Sequence, residues 1–270
     1  MSTLATPPSA GNLPPENLPF VAPCRSLDRG AALRWLAQGW RDFRQALPVS
    51  LAYGAVLTAL SLFILLATWR FGLIALYLGL ATGFVFVGPI LAVGLYSMSR
   101  QLARGQRPVL GYCLQEGREH IRELLVLGMV LLVILLLWAR AAAMVHVFFP
   151  TEGEIRLTAL ATFLGVGSLV GAVFAAIVFA TTAFSLPMLL DRRVDAITAV
   201  LTSVNAVLRN KGPLLLWGLV IVGTVVLGFA TATLGFVVLL PVIGHATWHA
   251  YRETIDASAW PENRPQEPQA

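Results

Sequence analysis

From Pro213 to Ala250 the chain runs for 38 residues without a single Asp, Glu, Lys or Arg. A helix needs about 20 apolar residues to cross a hydrocarbon core of about 30 Å. This stretch is therefore too long for one crossing and sufficient for two joined by a tight turn. Four further apolar runs precede it: Pro48–Trp69, Phe71–Met98, Leu124–Phe148 and Leu157–Leu190. Such a chain has no water-soluble solution, and its bulk numbers agree. It has 57% hydrophobic and 12% charged residues, about half the charge of a soluble domain. The fold class expected is all-α: a polytopic membrane protein, with a soluble enzyme and a disordered chain excluded.

The basic residues set the orientation. Sixteen of the nineteen Lys and Arg residues fall into alternate segments: before the first run, after the second, after the fourth and at the C-terminus. Only Arg70 and Arg156 lie in the other loops, with Arg140 inside a span. The positive-inside rule then places both termini in the cytoplasm, and an even number of crossings follows. Six spans are predicted, at about 48–69, 71–98, 124–148, 157–190, 213–230 and 233–250, the last two turning near Gly228–Thr233. The localisation expected is a bacterial cytoplasmic (inner) membrane. Residues 1–23 and 253–270 are Pro-rich and polar, and both are expected to be mobile tails.

The cytoplasmic connectors are amphipathic. Within 24–47, Leu36, Trp40, Phe43 and Leu47 step by fours and threes opposite Arg34, Gln38, Arg41 and Gln45. Val194, Ile197, Leu201, Val204 and Leu208 do the same beside Asn205 and Arg209. Arg and Trp on such helices suit a membrane surface, so the partner expected is a bilayer with anionic headgroups on the cytoplasmic side. No nucleic acid partner is implied; a membrane-protein partner or a second copy stays open.

Each returning span carries a proline, namely Pro89, Pro187 and Pro241, and each is a candidate kink. Gly79/Gly83 and Gly167/Gly171 form GxxxG pairs suited to close helix packing. No acid lies in any span, which argues against a proton-coupled carrier. Arg140 is the one charge inside, and with Thr181 and Thr182 it makes a candidate polar site for an anion or a lipid phosphate. His245 and His249, one turn apart, share a helix face and are a candidate metal pair, with His120 as a possible third ligand. Ala246 stands where a zinc protease has its glutamate, so that chemistry is unsupported. Cys24 and Cys113 match no metal spacing. No catalytic residue and no cofactor is implied, and a non-enzymatic scaffold or accessory bundle is the leading expectation. A small-solute or anion permease using the bent helices and Arg140 is the alternative, and a metal or haem site at the histidine pair a lesser one.

Four stretches together point to a family. These are RWLAQGWRDF, FVGPILAVGLYSMSRQLARGQRP, FSLPMLLDRRVDAITAVLTSVNAVLRNKGPLLLW and LPVIGHATWHAYRE. They resemble the uncharacterised bacterial integral-membrane family called domain of unknown function 2189, over roughly residues 20–255. The resemblance implies a six-span inner-membrane protein and no assigned activity.

Overall fold

The computed structural model describes residues 19–70, 90–147 and 157–263. Among these the architecture is all-helical: α1 (Ala31–Gln45), α2 (Leu47–Arg70), α3 (Val93–Ala103), α4 (Leu110–Glu119), α5 (Ile121–Val147), α6 (Leu157–Thr182), α7 (Ser185–Asp191), α8 (Ala196–Arg209), α9 (Lys211–Ala230) and α10 (Phe236–Thr254). Four segments are long and apolar enough to cross a membrane: Leu47–Ala67, Ile121–Val145, Leu157–Asp191 and Lys211–Ala230. They match four of the expected spans. Of the expected second span only 90–98 is described, so Pro89, Gly79 and Gly83 lie outside the described residues. The expected sixth span becomes α10, shifted three to four residues toward the C-terminus. Its second half carries Thr247, His249, Arg252 and Glu253, which makes it too polar to count among the four.

One unit recurs three times along the chain. A connector helix meets a single corner residue and then an apolar span: α1–Ala46–α2, α4–His120–α5 and α8–Asn210–α9. Pro48 and Pro213 stand in the first turns of α2 and α9, where a missing N–H costs nothing and φ is already helical.

Prolines shape the returning helices in two ways. Pro187 has no N–H for the carbonyl of Ala183, and its ring crowds that carbonyl. The helix breaks there, after Thr182, and restarts as α7 at Ser185. The expected single span 157–190 is thus two helices. Pro241 instead sits inside a continuous α10, which a packed neighbour makes tolerable. Between α9 and α10 the chain turns at 231–235, close to the expected position. Ala232 and Thr233 adopt φ of 50° and 68°. The Thr233 N–H closes onto the Gly228 carbonyl at 2.8 Å, and the Thr231 hydroxyl accepts from the Gly235 N–H at 2.9 Å.

The buried core lies at the polar end of the bundle. Helix α10 runs through it with α1, α2 and α3 packed around it, and α7, α8 and the chain ends complete it. Trp35 and Trp217 meet edge-to-face at 5.5 Å, and Trp35 donates its indole N–H to Glu253 at 2.9 Å. Where they are described, the tails pack onto the bundle. Ala22 is buried and donates to the Thr202 hydroxyl, while Ile255, Ala257 and Trp260 are core residues. Backbone bonds from Arg25 to Thr254 (2.8 Å) and from Asp256 to Pro23 (2.9 Å) knit the two ends together. The Pro-rich composition conceals this, because the few apolar side chains between the prolines find slots in the core.

Candidate functional site

Among the described residues, two adjoining groups of polar side chains meet at the buried end of the bundle. The first is built on α10. His245 is fully buried, as are Ser50 on α2 and Ser99 on α3. The imidazole stands between them, with Nε2 2.9 Å from the Ser50 hydroxyl and Nδ1 2.7 Å from the Ser99 hydroxyl. A neutral ring donates at one nitrogen and accepts at the other, so two hydroxyls satisfy it completely. One turn on, His249 donates from Nε2 to Asp42 Oδ2 on α1 at 2.7 Å. The two histidines thus tie α10 to α2, α3 and α1.

The helices come close enough for these bonds because of glycine. A Cβ on Gly39 of α1 would stand 2.6 Å from the Val242 carbonyl oxygen and the Ala246 nitrogen, and one on Gly244 would strike Leu95. No larger residue fits either contact.

The second group surrounds Asp191, at the end of α7. Its carboxylate accepts from Tyr251 Oη at 3.0 Å and from Arg192 Nε at 3.1 Å, with Arg252 3.8 Å away. Arg100 of α3 donates to the Leu190 carbonyl; burial pushes its guanidinium below the ordinary value, reinforced by Arg104 and opposed by Asp191. Asn263 donates from one amide to the carbonyls of Leu189 (2.9 Å), Leu190 (3.3 Å) and Arg192 (2.9 Å). The first two are carbonyls that the end of α7 leaves without intrahelical donors, and Arg192 is its C-cap residue, so Asn263 acts as a cap supplied by the C-terminal segment. Nearby, Cys113 is buried beside Gln101 at 3.4 Å, and burial pushes its thiol up.

The residues expected from sequence fall differently. His245 and His249 do share a face, but they face different partners. Both His245 nitrogens are taken by hydroxyls, and His120 lies by Asn263 and Arg100 rather than by the pair. Among the described residues no group of three or more His, Cys, Asp or Glu is arranged to hold a metal. Thr181 and Thr182 are buried, yet each donates to its own helix, at the carbonyls of Ile177 (2.7 Å) and Val178 (2.8 Å). Arg140 is exposed on α5. Leu131 and Val178 pack together between α5 and α6, and Arg140 and Thr182 lie in opposite directions from that contact. At 1.5 Å per residue they stand about 20 Å apart along the hairpin. The structure does not assemble the polar site expected from these three. Gly167 and Gly171 have no neighbour within 4 Å of an added Cβ among the described residues.

Sequence reasoning missed Ser50, Ser99, Asp42, Asp191 and Asn263. Asp42 carried a signal: it is the one acid in a helix rich in arginine, on the face of Trp35 and Gly39. The serines carried none.

These features define a helical integral membrane protein in which, among the described residues, two groups of buried polar side chains meet at one end of the bundle. Residues 76–191 match the family described as Predicted integral membrane protein (DUF2189), and the family resemblance read from the sequence holds over that segment. No curated protein and no solved structure matches the chain.

Proposed function

We propose that this is a six-span protein of a bacterial cytoplasmic membrane, with both termini on the cytoplasmic side, serving as a non-enzymatic scaffold or accessory bundle. One observation carries the functional reading. The groups with chemistry to offer are turned onto one another: His245 onto two serines, His249 onto Asp42, and Asp191 onto Tyr251 and Arg192. Each such pair joins two elements of the bundle or fixes a helix end, which is structural work.

The six-span topology is supported by the meeting of the two chain ends through Arg25, Thr254, Pro23 and Asp256, since ends on one side imply an even number of crossings. Helix α10 then returns from the 231–235 turn, and the second crossing of this proposal is the apolar run 71–98 read from the sequence. Topology reporters fused after Ala230 and after Thr254 test this: opposite sides are expected, and the same side would overturn it.

The functional reading is tested in proteoliposomes and by site-specific photocrosslinking in cells. A crosslinker at the exposed positions of α5 and α6 is expected to capture one defined membrane protein, with no solute flux by the purified chain. Anion flux abolished by Arg140→Gln would overturn the scaffold in favour of a permease.

A further inference from the structure

We propose that the outward faces of α1 and α8 are seats for anionic lipid headgroups, so that the bundle rests on its polar end through a collar of surface-lying helices. This rests on the membrane topology above, and adds to it a binding surface and its ligand.

The argument begins with an inversion. A helix on a water-soluble protein buries its large apolar residues and exposes polar ones. Helix α8 does the reverse: it buries Thr198, Thr202 and Ser203 among alanines, and exposes Ile197 (61%), Leu201 (37%) and Leu208 (58%). Helix α1 buries Gly39 and Asp42 together with Trp35 and Phe43, and exposes Leu33 (68%) and Trp40 (45%) among Arg34, Arg41 and Arg44; Leu47 (41%), the first residue of α2, continues that outward face. Water is the wrong solvent for both outward stripes.

Continuity identifies the right one. Each connector passes through one corner residue into a span whose outer residues are as apolar: Val56 and Phe63 on α2, Leu215 and Leu219 on α9. The apolar surface of the spans continues onto the connectors, with the exposed charges Arg44 at one junction and Arg209 and Lys211 at the other. Charge identifies the lipid. Arg41 and Arg44 on α1, Arg209 at the end of α8 and Lys211 at the start of α9 are exposed. No ion pair among the described residues engages them. Arg34, by contrast, is held by Asp28 (2.7 Å) and Glu253. Arginine beside tryptophan and leucine on such a stripe is complementary to the acidic headgroup layer.

The test uses the full chain in nanodiscs of phosphatidylcholine with phosphatidylglycerol, whose two equivalent leaflets separate lipid seating from sidedness. Acyl chains brominated near the headgroup are expected to quench Trp40 more strongly than chains brominated at their ends, read as the difference between wild type and Trp40→Phe. Trp138, on the span α5, serves as the positive control through Trp138→Phe. Trp40 emission that ignores both bromine depths while Trp138 is quenched would overturn the proposal and point to a protein on that face. In a second measurement, the double variant Arg41→Gln, Arg44→Gln is expected to lose bound phosphatidylglycerol through delipidation by about fivefold or more. Unchanged retention would overturn the headgroup assignment. A photocrosslinker at position 40 that captures a second copy of the chain in place of lipid would do so too. A wrong topology with a quenched Trp40 would instead leave this surface standing and sink only the orientation.

Discussion

Gly54 of α2 lies directly against the backbone carbonyl of Val237, the one carbonyl of α10 that Pro241 deprives of its intrahelical donor. A Cβ at position 54 would strike that oxygen, and would come within 2.8 Å of the Val237 carbonyl carbon and 2.9 Å of Pro241 Cγ. The proline in the middle of α10 is therefore accommodated by a partner helix with no side chain at that point. Sequence reading named the proline; the complementary glycine stands 187 residues earlier.

Gly54→Ala is expected to destabilise the protein by about 1–3 kcal/mol, because backbone and a ring cannot move aside as a flexible side chain can. Gly167→Ala on α6 meets open space in the described chain, so it is expected to leave stability unchanged or raise it slightly through helix propensity. Thermal unfolding of both variants in the same detergent checks the contrast. Equal melting temperatures would remove the special role of Gly54.

His245 bridges three helices. His245→Ala leaves the Ser50 and Ser99 hydroxyls buried without their partner and opens a cavity beside them, with an expected cost of about 2–4 kcal/mol. Ser50→Ala and Ser99→Ala singly remove one bond each. In a double-mutant cycle, adding Ser50→Ala to His245→Ala is expected to cost less than Ser50→Ala alone, since its bond is already lost. Additive effects would show the Ser50–His245 contact to be energetically silent. Chelator treatment is expected to leave the melting temperature unaltered, because both His245 nitrogens already have partners; a drop reversed by added zinc would contradict this.

How much of this was legible in the sequence follows from the range of each interaction. The spans α2, α5, α6 and α9 are dictated by local composition, since any run so apolar must leave water, and the proline positions locate the α6–α7 break. The clamps at the polar end are pairings across the chain: Ser50 with His245, Asp42 with His249, Asn263 with the end of α7. A serine on an apolar helix reads the same whether it faces lipid or a histidine. Arg140, Thr181 and Thr182 stood out because they are polar where little else is. That rarity places no two of them together, as the hairpin register shows.

The C-terminal segment should behave as a latch rather than a tail. Trp260 is buried, its carbonyl accepts from Arg192 Nη1 at 3.0 Å, and the Pro261 carbonyl accepts from the Arg193 N–H at 2.9 Å. Trp260→Ala is expected to cost about 3 kcal/mol or more. It should also release 255–263 to limited proteolysis while the spans stay protected. Asn263→Ala, which removes a cap, should cost only about 1 kcal/mol. Protease resistance in Trp260→Ala would mean that the segment is held elsewhere.

Asp195 gives the fold a response to acid. It is the N-cap of α8, its carboxylate accepting from the Thr198 N–H at 2.9 Å. Burial pushes its pKa up, but the hydrogen bonds from Thr198, with the Ile197 N–H, outweigh that and leave it below the ordinary value. The folded state therefore binds this proton less readily than the unfolded chain does. The stabilisation is complete above the unfolded pKa of about 3.9 and disappears as the pH falls through the lower folded one. Asp195→Ala is expected to cost about 1 kcal/mol at neutral pH, the usual worth of such a cap. That cost should shrink as the pH drops below about 4, where the wild type loses the same interaction. Melting curves of both proteins between neutral pH and about pH 3 measure the difference. Two curves separated by a constant offset across that range would show that α8 is held by its packing alone.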